Sequence, residues 1–169
     1  MSFWRLYYHL IWPTKQREHL LTAAVEAQLY PYLVSKAAEN DVYVYAINGW
    51  FDHIHLVVAI PPKHAVAEIV KRLKGASSYY VSNELRSLEH FAWHRGYGAL
   101  SVGERQRGIA EAYVLNQKHH HAQQTTNSWL ERSADLDEGP PDAGINQEQS
   151  LSVIREKPAQ YELLDEPPF

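Results

Sequence analysis

The sequence predicts an α+β domain of the ferredoxin-like (RRM-like), split βαβ kind: an antiparallel sheet with helices on one face, plus one appended C-terminal helix. Three observations predict it. Short runs rich in Val, Ile, Tyr and Leu alternate with longer stretches whose apolar residues recur at helical period. Two of these runs lie so close together that they form a hairpin, with Asn48-Gly49 as the turn signal. The chain has 169 residues and no cysteine, enough for one packed domain, or one domain and a tail, without disulfides or thiol chemistry.

Phe3 to Trp12 is aromatic and apolar and is closed by Pro13, which reads as a largely buried first strand. Glu18 to Ala38 carries Leu21, Ala24, Val25, Leu29, Leu33 and Ala37 near helical period, and Pro31 predicts a kink or a break within it. Asp41 to Trp50 is the second strand, and His53 to Ile60 the third, stopped by Pro61-Pro62. Ala65 to Leu88 is a helix with Val66, Ile69, Val70, Leu73 and Tyr80 on one side and Lys71, Lys74 and Ser78 on the other. Tyr97 to Val102 is the fourth strand, and Glu104 to Gln123 the last helix. The order is β-α-β-β-α-β-α.

Residues 1–132 are expected to form the domain and 133–169 an acidic, Pro-containing tail, disordered or loosely docked. Residues 1–130 carry 13 Lys+Arg against 10 Asp+Glu, and residues 131–169 carry 3 against 10, which together make the net charge of −4. The folded part is therefore mildly basic, and all ten histidines lie in it. No secretory signal opens the chain, and no apolar run approaches the roughly 20 residues of a membrane span. A soluble, cytoplasmic protein with no membrane partner is expected.

The chemistry concentrates in two places. His53 and His55 are one residue apart on a strand, so both imidazoles project from one face while Ile54, Leu56, Val58 and Ile60 project from the other. A structural or exposed role is common for one strand histidine; a His-x-His pair on one face is a better candidate for a divalent metal. Tyr113 and Gln117 are four residues apart and share a helix face. Tyr113 beside Ile109 and Ala112 reads, taken alone, as a core aromatic, but Glu111, Asn116, Lys118 and His119-His120-His121 make its surroundings unusually polar.

These residues carry a resemblance. The chain, over residues 4 to about 130, resembles the single-tyrosine transposases of the HUH superfamily, which move insertion sequences as single-stranded DNA, and their REP-associated relatives. The resemblance is carried by Tyr8-His9-Leu10-Ile11-Trp12 with Thr14-Lys15, by Asp52-His53-Ile54-His55-Leu56, and by Ile69 to Ser78. Gly96 to Val102 and Tyr113-Val114-Leu115-Asn116-Gln117 with His119-His120 complete it. Each block alone is weak, and five in the family's order and spacing are strong.

The resemblance implies roles. His53, His55 and Gln117 would hold a divalent ion, Mg²⁺ or Mn²⁺, without ATP, and Tyr113 would be the nucleophile that forms a 5′-phosphotyrosine link. Lys71, Arg72, Lys74, Ser77 and Ser78 would contact DNA. The implied partner is single-stranded DNA with hairpin ends, bound by a homodimer. The acidic tail departs from the family pattern, and so does Lys118-His119. The tail is expected to compete with DNA for the basic face. Two other readings compete: a non-catalytic nucleic-acid-binding protein of the same fold, and a metal-dependent phosphohydrolase that uses the histidines without the tyrosine.

Overall fold

The central element is the run Tyr7–Pro13, strand β1, which hydrogen-bonds on both sides within a four-stranded antiparallel sheet. The computed structural model describes residues 2–85 and 91–134, with Gly139. Beyond Ala134, Gly139 apart, the expectations for the acidic tail lie outside the described residues. The other elements are α1 (Ala23–Ala38), β2 (Tyr43–Trp50), β3 (His53–Ala59), α2 (Val66–Tyr79), β4 (Gly98–Val102), α3 (Arg107–Leu115) and α4 (Gln117–Ala122). Strand order is β2-β3-β1-β4, with every pairing antiparallel. This is the predicted split βαβ arrangement.

Period-two alternation divides the two central strands cleanly. Leu10 and Trp12 of β1, with Ile54, Leu56 and Val58 of β3, join Leu29 and Leu33 of α1 and Ile69 and Leu73 of α2 in the main core. The opposite face is also covered. Val57 and Ala46 meet Val114 of α3 in a second, smaller cluster. All seven residues of β3 are consequently buried, histidines included. Polar side chains there must find partners inside the protein.

Several boundaries differ from the sequence reading. The first strand opens at Tyr7 rather than Phe3, because Phe3 and Leu6 are exposed and only from Tyr7 does the chain pair with both β3 and β4. The first helix starts at Ala23, where the Thr22 hydroxyl caps Val25 N, and it continues through Pro31 without a break. Asn48-Gly49 is not the turn: β2 runs on to Trp50, which pairs with His53, so the chain reverses at Phe51-Asp52. Gly49 serves close approach instead, since a Cβ there would lie 2.1 Å from His53 O and 2.9 Å from Ile54 Cα. The second long helix passes from α2 into a π-helical turn, Tyr80–Glu84, and residues 86–90 lie outside the described set. The last helix is interrupted at Asn116 (φ −95°, ψ 15°), where the Asn48 side chain donates to Leu115 O at 2.8 Å. Tyr113 and Gln117 thus belong to successive helices.

Candidate metal and nucleophile site

The site is assembled on the second face of the sheet. His55 lies opposite Ile11 in the β1–β3 register, and His9, two residues before Ile11, is its diagonal neighbour. His53 closes the hairpin beside Asp52. Above them lie α3, which carries Tyr113, and α4, which opens with Gln117. A turn starting at Asn127, with Leu130 N and Glu131 N both donating to Asn127 O, then delivers Glu131 into the same space. An isolated bridge between Ala134 and Tyr97 holds this segment to the domain.

Glu131 is the hub. Its Oε2 lies 3.2 Å from His53 Nε2 and 3.0 Å from His55 Nε2. Its Oε1 accepts the Tyr113 hydroxyl at 2.5 Å and lies 3.4 Å from Gln117 Nε2. His53, His55 and Glu131 each offer one ligand atom, all within 4.8 Å of one another. Asp52 accepts from His53 Nδ1 at 2.6 Å, which leaves Nε2 to face the cluster. His121 adds a ring 3.2 Å from His53 Nε2, resting against Trp50.

The electrostatics follow from burial working against charge pairing. Burial would lower His53, but the Asp52 and Glu131 carboxylates outweigh it and raise its pKa. Burial lowers His55. Burial, with His55 alongside, brings His9 down to about 3, so His9 is neutral. Burial would raise Glu131, yet its bonds to the two imidazoles and to Tyr113 hold it well below the carboxylate range. Burial and the Glu131 acceptor together raise the Tyr113 phenol.

The donor set fits a divalent cation. Two imidazoles, one carboxylate and one amide oxygen are nitrogen and oxygen ligands that suit Mn²⁺ and Mg²⁺. The Oε1 atom of Gln117 supplies an independent test: the side chain is 0 % exposed, and this oxygen has no hydrogen-bond partner. Buried acceptors are rarely left unpaired, so this amide oxygen is open to a ligand, on a side chain whose nitrogen faces Glu131 Oε1. Sequence reasoning missed Glu131. Its signal was thin: it is the single carboxylate between Glu111 and Asp135. His9 was visible as a polar interruption of an apolar strand, without an assigned task.

The expected DNA-contacting helix face is mixed. Lys71 is exposed, and Arg72 is bonded to Asn40 Oδ1 at 2.7 Å. Lys74 donates to the carbonyls of His94, Arg95 and Gly96 at 2.6–2.9 Å and so fastens the chain before β4. Lys71, Lys74 and Ser78 line a cavity of about 330 Å³ together with Arg95 and Tyr97. Ser78 Oγ donates to Phe91 O at 3.0 Å. Ser77 is turned inward: it is fully buried, donates to Leu73 O and accepts from Trp93 Nε1 at 2.8 Å. Its spacing from Leu73 on α2 places it on the core side, so it does not reach a phosphate.

A split βαβ sheet whose second face gathers a His-x-His pair, a carboxylate, an amide and a tyrosine hydroxyl defines the class of His-x-His, single-tyrosine transposases. The chain belongs to that class through the family described as Transposase IS200 like, which it matches over residues 2–117. It is 32% identical over 119 residues to the ISDra2 transposase TnpA of Deinococcus radiodurans, covering 68% of this chain and 85% of that protein. It is 26% identical to the transposase for insertion sequence element IS200 of Salmonella typhimurium, covering 68% and 78%. A crystal structure of a Deinococcus radiodurans transposase superposes with a TM-score of 0.55 at 31% identity, covering 69% of this chain and 93% of that one. A REP-associated tyrosine transposase bound to a REP hairpin superposes with a TM-score of 0.53, covering 82% and 95%; at 11% identity this likeness is one of fold. Among the described residues no helix is long and apolar enough to cross a membrane.

Proposed function

We propose that this transposase cuts and rejoins single-stranded DNA at hairpin-bearing ends through a 5′-phosphotyrosine intermediate on Tyr113, with His53, His55, Gln117 and Glu131 holding Mg²⁺ or Mn²⁺. The observation that carries the reading is the Tyr113 hydroxyl tied, through the single carboxylate of Glu131, to both histidines. A divalent ion in this donor set would supply Lewis-acid polarisation of the scissile phosphate and neutralise its charge. The protein's own residues do the rest. Asn127 N donates to the Tyr113 oxygen at 3.1 Å and fixes its direction. Tyr113 Oη, oriented by its hydrogen bond to Glu131 Oε1, attacks phosphorus in line as the bond to the leaving 3′-oxygen breaks; the phenol proton is lost to solvent, and the leaving oxygen takes one up from solvent to become the 3′-OH. The phosphotyrosine conserves the energy of the broken bond, so rejoining by a 3′-OH needs no ATP.

Lys71 and Arg95, around the cavity beside α2, would engage phosphates of the hairpin, while Lys74 holds the 94–96 segment that carries Arg95. Tyr113 lies against the histidines of its own chain, so each subunit of the implied homodimer would carry a complete site in this arrangement. The test is incubation of the protein with labelled single-stranded DNA from the regions flanking its gene, with Mn²⁺ or Mg²⁺, followed by denaturing gels. A metal-dependent covalent protein–DNA band that disappears in Tyr113→Phe and in His53→Ala is expected. Hairpin-selective binding with no covalent band would establish the non-catalytic binding protein, and cleavage surviving Tyr113→Phe would establish water as the nucleophile.

A further inference from the structure

We propose that His9 is a positioning residue for the metal site: its Nε2 accepts the Nδ1–H of His55 and holds His55 in the tautomer that turns its Nε2 lone pair toward the ion. The inference rests on the metal-site reading above.

An imidazole that ligates through Nε2 must carry its proton on Nδ1, and the partner at Nδ1 decides how firmly that tautomer and ring orientation are held. For His53 that partner is Asp52. For His55 the atom at Nδ1 is His9 Nε2, at 2.8 Å. The rings are within 7° of parallel with centroids 5.0 Å apart. That separation is as long as a line from ring centre through the two nitrogens to the other centre allows. The nitrogens therefore lie in both ring planes, along the lone-pair direction, and the contact is a directed hydrogen bond rather than a face-to-face stack.

Position and burial make the pair rigid. His9 is 2 % exposed, on the strand flanked by β3 and β4. Tyr113 stands edge-on to both rings, with centroids 6.3 Å from His9 and 6.2 Å from His55. The His9–His55 plate thus supports the nucleophile as well as the ligand. Imidazole also suits this place chemically. A carboxylate at position 9 would add a further negative charge beside Glu131 and Asp52, whereas neutral histidine accepts the bond without one.

The experiment is calorimetric titration of the full chain with Mn²⁺, comparing wild type, His9→Gln and His9→Phe. Glutamine keeps an acceptor at similar reach, and phenylalanine keeps the ring against Tyr113 and loses the acceptor. His9→Phe is expected to weaken Mn²⁺ binding about 10–100-fold and His9→Gln no more than about threefold, the range for a lost orienting partner. Wild-type affinity in His9→Phe would overturn the inference. Equal losses in both variants would also overturn it, because they would assign His9 a packing role. No Mn²⁺ binding by wild type would remove the metal-site reading itself, a distinct failure that takes the inference with it. Long-range ¹H–¹⁵N NMR of Mg²⁺-loaded wild type needs no variant: protonated Nδ1 on His55 with unprotonated Nε2 on His9 is expected, and the reverse pattern overturns the proposal.

Discussion

Replacing Glu131 by glutamine removes one charge from the point where His53, His55 and Tyr113, the proposed ligands and nucleophile, meet. Glutamine keeps the side-chain length and one carbonyl oxygen. The wild-type carboxylate makes three close contacts, to Tyr113 Oη at 2.5 Å, His55 Nε2 at 3.0 Å and His53 Nε2 at 3.2 Å, from a side chain 16% exposed. Hydrogen bonds to a charged group contribute about 1.5–3 kcal/mol each and neutral ones about 1 kcal/mol, while the relieved desolvation of the carboxylate offsets part of the difference. A net loss of about 2 kcal/mol follows, which for a domain of this size lowers Tm by about 8 °C. The assay is thermal unfolding at pH 7 with and without Mn²⁺. Wild type should gain about 2.7 kcal/mol when Mn²⁺ is present at a hundred times its Kd, and Glu131→Gln should lose most of that gain at the same concentration. A variant that melts within about 2 °C of wild type and keeps the Mn²⁺ shift would refute the reasoning, since it would place Glu131 outside the cluster.

Three further outcomes are expected. Gly49→Ala should destabilise the domain by about 3 kcal/mol or more in urea unfolding, because the added Cβ meets the backbone of His53 and Ile54; stability near wild type would show that the hairpin can shift freely. Ser77→Ala should cost about 1–3 kcal/mol by leaving the buried Trp93 N–H without its acceptor, with affinity for hairpin DNA unchanged; weakened DNA binding at unchanged stability would put Ser77 back on the DNA face. Burial lowers Lys74 from 10.5 to about 8. In that window the unfolded chain binds the additional proton, so wild-type stability gains with rising pH while Lys74→Met lacks this gain. The Lys74→Met deficit, read from unfolding at several pH values, should widen between about pH 8 and 10.5, and a deficit that shrinks would contradict it.

Much of this protein is local in origin. Period-two alternation in His53–Ile60 separates the imidazoles from Ile54, Leu56 and Val58, and no tertiary knowledge is needed to see it. The helical spacing around Leu29, Leu33, Ile69 and Leu73 likewise identifies the core side of α1 and α2. Errors arose where a distant group overrides local preference. Asn48-Gly49 reads as a turn, yet Asn48 is recruited by Leu115 O and Gly49 by the crossing backbone of β3. Lys74 and Ser78 read as a polar helix face, and Ser77 as a DNA contact by resemblance, until the 91–96 segment packs on them and takes their hydrogen bonds.

By itself, the sequence determined the order of strands and helices, the His53–His55 pair on one sheet face and the spacing of Tyr113 from Gln117, because these depend on backbone periodicity within a few residues. Only the tertiary structure decided that Glu131 joins His53, His55 and Tyr113, and that His9 meets His55 edge to edge. Glu131 lies 76 residues from His55, and His9 lies 46 residues from it. Contacts across such distances are set by strand register and by the close of the Asn127–Glu131 turn, which no local pattern encodes.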